Sequence, residues 1–145
     1  MTEAATEGPV VLLDTCAWIW LTTGHERFTS AACLHDVEAA GLSGRLFLSP
    51  ISMWELAMKV AKGKLALSTP TLEWIQQSKR RSRISDAPMR AETVVDSTVL
   101  PGDFHNDPAD RLIIATARSL DAHLVTGDKS IIAYARGGFV KVWKL

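Results

Sequence analysis

The chain has 145 residues, of which 47% are hydrophobic and 22% charged, and its formal net charge at pH 7 is zero. This length and balance are typical of one globular domain that folds without a disulfide or zinc staple. The neutral net charge argues against a protein that holds nucleic acid by bulk charge, but it leaves a local basic patch open.

Residues 1–9 are predicted to be a flexible tail, and residues 10–145 a single domain. The tail is polar and acidic, without the cationic start and hydrophobic stretch of a secretory signal. No apolar run approaches the roughly 20 residues needed to span a bilayer. The two cysteines have no metal-ligand or disulfide spacing, which fits a reducing compartment. We therefore expect a cytoplasmic protein with no membrane association.

Short apolar runs alternate with helical patterns along the first half of the chain. The first run is apolar throughout, as strands buried on both faces of a parallel sheet are. Asp14 and the pair Ser49-Pro50 each begin a helix, because a capping side chain and a following proline favour helix starts. The predicted elements are a strand at 10–13, helices at 14–21 and 30–40 (ending at Gly41), a strand at 45–48, and helices at 50–62 and 71–80.

The second half continues the alternation after a break at Pro101-Gly102. The predicted elements are a minor strand at 83–85, helices at 89–98 and 107–120, a strand at 123–126, a helix at 128–136 and a strand at 139–143. Strands that alternate with helices predict an α/β fold with a mostly parallel central sheet covered by helices on both faces.

Single acids stand where predicted strands end or predicted helices begin. Asp14 and Asp128 follow apolar runs, Glu55 interrupts an apolar helix, and Asp110 lies in the first turn of the helix that Asp107 begins. In parallel sheets, sites lie beyond the carboxyl ends of the strands, where the strand order switches. Magnesium prefers a few carboxylates plus waters. The pattern therefore favours one shared divalent-cation site.

Each acid also has an ordinary structural explanation. Asp14, Asp107 and Asp128 are good helix caps, Asp110 complements a helix dipole, and Glu55 could occupy a solvated helix face. The combination favours a metal, because crowded carboxylates repel one another unless a cation neutralises them. The four histidines share no zinc spacing, and the chain has no phosphate-binding glycine loop.

A dense basic run closes the predicted helix at residues 71–80. Its basic side chains are Lys79, Arg80, Arg81 and Arg83. They could complement the dipole of a solvated helix end, or they could contact the phosphates of a nucleic acid. The lysines of the helix that carries Glu55 could extend such a patch: Lys59, Lys62 and Lys64.

The sequence resembles PIN-domain ribonucleases, and specifically the VapC toxins of bacterial type II toxin–antitoxin (VapBC) pairs. The matching segments, in the order and spacing of that family, are Leu12-Leu13-Asp14-Thr15, residues 49–57 with Gly63-Lys64-Leu65, residues 107–117 and Leu124-Val125-Thr126-Gly127-Asp128. The resemblance implies a three-layer α/β/α sandwich and an endoribonuclease that depends on Mg²⁺ or Mn²⁺.

The resemblance also implies roles for individual residues and partners. The catalytic and metal-binding acids would be Asp14, Glu55, Asp110 and Asp128. Polar residues that support them would be Thr15, Ser52 and Thr126, with Asp107 in an outer shell. The implied partners are an RNA substrate, a small inhibitory antitoxin and a second copy in a homodimer. The charge of the basic run at residues 79–83 makes it the candidate region for gripping the RNA.

Other classes of protein remain alternatives. The same fold could serve as a non-catalytic module that binds nucleic acid or protein, because fold does not determine function. A phosphoryl-transfer enzyme could use Asp14 as its nucleophile, but that chemistry expects a second acid where Cys16 stands. A response-regulator receiver usually carries paired acids near its first strand, where this chain has one.

Overall fold

The computed structural model of the protein describes residues 8–145, so that all but the last two residues of the predicted tail at 1–9 lie outside the described range. The strands are β1 (Val11–Leu13), β2 (Leu46–Leu48), β3 (Ser85–Asp86), β4 (His123–Thr126) and β5 (Lys141–Lys144). The helices are α1 (Thr15–Thr23), α2 (Glu26–Thr29), α3 (Leu34–Leu42), α4 (Pro50–Ala61), α5 (Thr71–Ser82), α6 (Ala91–Thr98), α7 (Pro108–Leu120) and α8 (Lys129–Ala135). Within residues 8–145, no helix is both long enough and apolar enough to cross a membrane.

The five strands form one parallel sheet in the order β3-β2-β1-β4-β5. Leu13, the last residue of β1, pairs with Leu48 on one side and with Val125 on the other. After β1 the chain builds outward through β2 and β3, then returns to place β4 on the opposite side of β1. The order of the strands therefore switches between β1 and β4, where such sheets build their sites.

Side chains that alternate along β1 bury themselves against helices on both faces of the sheet. Val11 and Leu13 pack in a cluster with Trp18 of α1, whereas Leu12 packs in a second cluster with Ile113 of α7. All three strand residues are fully buried, as their uninterrupted apolar run predicted. The predicted α/β/α sandwich is confirmed, with every strand of the sheet parallel.

Polar side chains cap four of the helices, and three of these side chains directly or closely follow a strand. In each case a side-chain oxygen or hydroxyl accepts the backbone N–H of a residue two or three positions later, and the capping residues are Asp14, Ser49, Asp107 and Asp128. Pro50 and Pro108 occupy the first helical positions of α4 and α7, where a missing N–H costs nothing. These caps hold acidic residues at the carboxyl edge of the sheet.

The single helix predicted at residues 30–40 is wrong, because two helices separated by a turn occupy this region. The Nδ1 atom of His25 accepts the N–H of Arg27 and begins α2 before the predicted start. Helix α3 then continues past Gly41, which was predicted to end it. A Cβ atom at Gly41 would lie 2.9 Å from the carbonyl oxygen of Ser82, so this glycine permits close approach of α5.

Candidate active site

The four predicted acids come from four separate elements and line one cavity of about 260 Å³. Asp14 directly follows β1 and Asp128 lies two residues after β4, so the two stand beside each other at the switch in strand order. Glu55 reaches the cavity from the second turn of α4, and Asp110 from the first turn of α7. The fold thus brings together acids that are far apart in sequence.

Asp14 is buried at the floor of this cavity, with 6% of its surface exposed. Its Oδ1 atom accepts the N–H of Ala17 at 2.8 Å, and the side chain of Thr126 also bonds to the carboxylate. The hydroxyl of Thr126 in turn accepts the N–H of Asp128 at 3.0 Å. Thr126 therefore fixes two of the four acids relative to each other across the β1–β4 pair.

A chain of hydroxyls orients Glu55. The hydroxyl of Thr15 donates to the Oε1 atom of Glu55 at 2.5 Å, and the buried hydroxyl of Ser52 lies 2.9 Å from the same Thr15 oxygen. Ser52 and Glu55 are three residues apart on α4, so both face α1. Of these two predicted supporting residues, Thr15 thus contacts Glu55 directly, and Ser52 contacts Thr15.

Asp110 is held at the start of α7 by its neighbours. The exposed Asp107 caps the helix by accepting the N–H groups of Ala109 and Asp110 at 2.9 and 3.3 Å. The Nε2 atom of His105 lies 3.4 Å from a carboxylate oxygen of Asp110. Arg111 does not line the cavity. Its guanidinium instead donates to backbone carbonyls of residues 97, 104 and 105, which fixes the loop that carries His105.

Burial and mutual repulsion raise the pKa of two of the acids, Asp14 and Asp110. Burial, followed by the nearby charges of Asp128 and Glu55, raises the pKa of Asp14 from 3.8 to about 6, although bonds from Thr126 and Ala17 lower it. Burial, with the charge of Asp107 and then of the other acids, raises the pKa of Asp110 to about 6. An opposite charge placed in the cavity would relieve both effects.

The chemistry of this cavity fits a hard divalent cation. Its four carboxylates are the ligands that Mg²⁺ and Mn²⁺ prefer. Asp14, Asp110 and Asp128 could each offer the cation one carboxylate oxygen, while the other oxygen keeps its contact with a backbone N–H group or with His105. Within the described part of the chain, no three histidine, cysteine, aspartate or glutamate side chains stand close enough to hold one ion as they are placed. The fit therefore rests on the identity and charge of the four acids and on the cavity that they share.

Besides the core residue Ile113, three further side chains line the same cavity: Cys16, Trp20 and Lys59. None of the three was predicted to belong to this site. Helical spacing could have found them, because Lys59 lies four residues after Glu55 on α4, and Trp20 lies four residues after Cys16 on α1. Lys59 is the single basic side chain among the residues that line this cavity.

The basic run at the end of α5 lies outside the acidic cavity. Lys79 and Arg80 line a separate groove with Met53, and Lys79 forms an ion pair with Asp86. Arg81 and Arg83 line another concavity beside α3, which reaches the beginning of β2. The structure thus brings the four acids and their supporting hydroxyls together, but it does not bring the basic run into the same cavity.

Comparison with known proteins agrees with this architecture. The family model of the PIN domain matches residues 11–137. The chain is 34% identical over 134 residues to Ribonuclease VapC22 of Mycobacterium tuberculosis, an alignment that covers 92% of this chain and 98% of that protein. A crystal structure of VapBC2 from Rickettsia felis, bound to a DNA fragment from its promoter, superposes with a TM-score of 0.63 at 19% identity. That superposition covers 91% of this chain and 96% of the other. The chain therefore belongs to the PIN-domain family and is similar to its VapC members.

Proposed function

We propose that this protein is a metal-dependent endoribonuclease and the toxin of a type II toxin–antitoxin pair. The observation that carries the proposal is the convergence of four carboxylates, from four separate elements, on one cavity at the switch in strand order. The similar protein from Mycobacterium tuberculosis is named a ribonuclease, which supports the same chemistry here.

Asp14 and Asp110 are the proposed principal ligands, with Glu55 and Asp128 as further ligands or as groups that position water. Either Mg²⁺ or Mn²⁺ suits such a set of oxygens. When bound, the cation would lower the pKa of a coordinated water and stabilise charge on the scissile phosphate.

The remaining polar residues hold this arrangement. Thr126 bonds to Asp14 and accepts from Asp128, while Thr15 holds the carboxylate of Glu55. Lys59 extends into the same cavity and supplies the positive charge that a phosphate needs beside so many carboxylates. These contacts orient the groups before substrate arrives, which is how a site stabilises charge without reorganising.

The identity of the attacking group determines the products. A water held in the cavity would leave a 5′-phosphate on one fragment and a 3′-hydroxyl on the other. Attack by the ribose 2′-hydroxyl would instead leave a cyclic phosphate. Sequencing of fragment ends therefore tests the proposed mechanism directly, and cyclic-phosphate ends would contradict it.

The proposed partners are a small antitoxin and a second copy of the chain. The structural neighbour from Rickettsia felis is a toxin–antitoxin complex, which supports the first of these. An antitoxin arginine placed in the acidic cavity would make charge-assisted bonds to its carboxylates and compete with a cation. We expect co-expression with the adjacent gene to yield a complex that cleaves no RNA, and failure to associate would count against the antitoxin.

The decisive experiment incubates total cellular RNA with the purified protein in Mg²⁺, in Mn²⁺ and in chelator. We expect discrete fragments with either metal and none in chelator. Asp14→Asn keeps the helix cap but removes the charge, and we expect it to abolish cleavage. Asp36→Asn is the matched control, because Asp36 is an exposed acid in the first turn of α3, outside the cavity. Binding of RNA without cleavage in either metal would favour a non-catalytic binding module.

A further inference from the structure

A group of stacked planar side chains stands at the rim of the acidic cavity. The half-buried indole of Trp20 lines the cavity, and the exposed imidazole of His25 stacks on it with ring centroids 5.2 Å apart and planes inclined by 25°. The guanidinium of exposed Arg27 lies 4.7 Å from the centre of the indole ring. We call these three side chains the planar cluster.

The backbone holds the planar cluster in place. Gly24 ends α1 in a left-handed conformation with φ of 70°, which turns the chain so that His25 folds back over Trp20. The ring of His25 is anchored because its Nδ1 atom accepts the N–H of Arg27 at 3.0 Å. Arg27 also donates to the carbonyl oxygen of Leu145 at 3.1 Å. A surface built from anchored rings loses little entropy when a ligand binds.

Gly127 joins the planar cluster to the acids. It lies between Thr126 and Asp128, and it lines the same cavity. A Cβ atom at this position would lie 2.9 Å from a guanidinium nitrogen of Arg27 and 3.2 Å from the Cζ3 atom of Trp20. The turn after β4 therefore touches the indole edge, and the cluster stands directly beside two residues of the proposed metal site.

Proteins bind single-stranded RNA by stacking its bases on aromatic rings and on arginine guanidinium planes. The planar cluster offers both, and its arginine adds positive charge beside a cavity whose carboxylates would repel a phosphate backbone. A nucleotide whose phosphate reached the acids would place its base within reach of the rim.

We propose that Trp20, Arg27 and His25 form the subsite that receives a nucleobase next to the scissile phosphate. This inference rests on the proposed cleavage of RNA. The subsite would hold the strand in register and would prefer unpaired RNA, because a base must leave its helix to stack there. It makes Trp20 a substrate-binding residue distinct from the acids.

The competing explanation is that the planar cluster only stabilises the fold. Other tryptophans of the chain provide a comparison. Trp18 and Trp74 meet edge to face at 5.5 Å, with Trp18 fully buried in the core. Trp54 is 57% exposed on α4 but does not line the acidic cavity. Trp54→Leu is therefore the matched control for Trp20→Leu, since both remove one solvent-accessible indole and only one removes it from the rim.

The test combines protein variants with changes in the RNA. A short single-stranded RNA that contains the mapped cleavage site is made as a series in which one base at a time is replaced by an abasic nucleoside. With wild-type protein, loss of one base beside the scissile phosphate should lower kcat/KM by about 10- to 100-fold. Trp20→Leu should lower kcat/KM on the intact RNA by a similar factor, and Trp54→Leu should leave it unchanged.

The coupling between Trp20→Leu and the abasic substitution shows whether Trp20 stacks on the missing base. If Trp20 stacks on the missing base, Trp20→Leu acting on the abasic RNA should lose no more than either change alone. Independent losses that multiply at every position would overturn the proposal, as would full activity of Trp20→Leu on the intact RNA. Trp20→Phe keeps an aromatic plane and should retain most of the coupling. Gly127→Ala would crowd both the guanidinium of Arg27 and the edge of the Trp20 indole, and it carries the same test if Trp20→Leu does not fold.

A second measurement separates this proposal from the proposed ribonuclease activity. An unstructured RNA oligonucleotide that carries 2-aminopurine at its centre is titrated with each variant in Ca²⁺, where cleavage is not required. Stacking quenches the fluorescence of 2-aminopurine. Quenching by wild type and Trp54→Leu but not by Trp20→Leu supports the subsite even if no RNA is ever cleaved. Equal quenching by all three proteins, or none by any, would overturn it.

Discussion

The acidic cavity and the basic run at the end of α5 carry opposite charge, and the fold arranges their side chains in opposite ways. Acids that are scattered from residue 14 to residue 128 meet in one cavity of about 260 Å³. Cations that are adjacent in sequence, from residue 79 to residue 83, divide between two other grooves, and Lys79 is occupied by an ion pair with Asp86.

The difference shows that the topology of a parallel sheet can bring distant charged residues together, whereas one helix cannot keep adjacent ones on a single face. Ends of parallel strands meet at one edge of a sheet, so single residues at those ends converge however far apart they lie in sequence. Successive residues of a helix point in different directions, so a charged run spreads its side chains around the axis. The experiments below test whether function follows the converged charges or the clustered ones.

The largest effect should come from neutralising a converged acid. Asp110→Asn removes a proposed ligand that lines the cavity, and we expect RNA cleavage to fall by at least about 100-fold. Asp107→Asn keeps the helix cap, because asparagine caps as well as aspartate does, and it alters only a charge outside the cavity. We expect Asp107→Asn to change the rate by less than about threefold. Equal losses would show that Asp107 has a direct catalytic role.

Replacing Asp14 with asparagine should abolish RNA cleavage but increase the stability of the metal-free protein. In the metal-free protein the pKa of Asp14 is about 6 against 3.8 for the ordinary group, so the folded state takes up its proton at a higher pH than the unfolded chain. Its contribution to stability is full below about pH 4 and is lost as pH rises to about 6. At pH 7.5 Asp14→Asn should therefore stabilise the metal-free protein by about 3 kcal/mol, or raise Tm by roughly 6–12 °C.

Thermal denaturation in chelator at pH 5 and pH 7.5 checks this, with Asp36→Asn as the control for a surface acid. The gain from Asp14→Asn should shrink at pH 5, where the wild-type carboxyl is already protonated. Added Mg²⁺ should stabilise wild type, because the ion binds only the folded site. It should leave the stability of Asp14→Asn unchanged, because this variant lacks a proposed metal ligand. A destabilised Asp14→Asn protein at pH 7.5 would mean that its hydrogen bonds to Ala17 and Thr126 outweigh the cost of burying the charge.

Much of this arrangement could be predicted from sequence, since it depends on local signals that agree with one another. The apolar run at residues 10–13 and the caps at Asp14 and Asp128 fixed both the strands and the edge where the acids lie. With one exception, the predicted elements lie within two residues of the observed bounds. The exception is the helix predicted at 30–40, where a histidine cap and the packing of Gly41 against α5 overrode the local pattern.

The composition of the cavity wall could not be predicted as fully, because it depends on which helix faces meet. Lys59 belongs to the cavity through its helical spacing from Glu55, yet its charge alone predicted a place in an extended basic patch. Arg111, in the same motif as Asp110, holds three backbone carbonyls rather than lining the site. Charge alone did not distinguish a residue that lines the site from one that supports a loop.

Lys59 provides a test of intermediate size. Lys59→Gln removes the single cation among the residues that line the cavity, whereas Lys62→Gln removes an exposed one at the end of the same helix. We expect Lys59→Gln to weaken RNA binding by about 3- to 10-fold and to lower the slope of log Kd against log salt by about 0.7. Binding titrations over a range of KCl concentrations measure both. An effect of Lys62→Gln equal to that of Lys59→Gln would mean that the lysines act by bulk charge.

The smallest effects should come from the basic run, and they should depend on the length of the RNA. Arg80 lines its groove with Met53 of α4, the helix that also carries Glu55, whereas Arg81 faces α3 and the beginning of β2. A strand that leaves the cavity along α4 would therefore meet Arg80 first. We expect Arg80→Ala to weaken binding of a long RNA by about 2- to 3-fold and to flatten its salt dependence, with a smaller change for Arg81→Ala. Neither should alter the cleavage of an RNA on the order of six nucleotides, which the cavity and its rim can hold. Loss of short-RNA cleavage in Arg81→Ala would show that clustered charge, rather than the converged site, sets the path of the substrate.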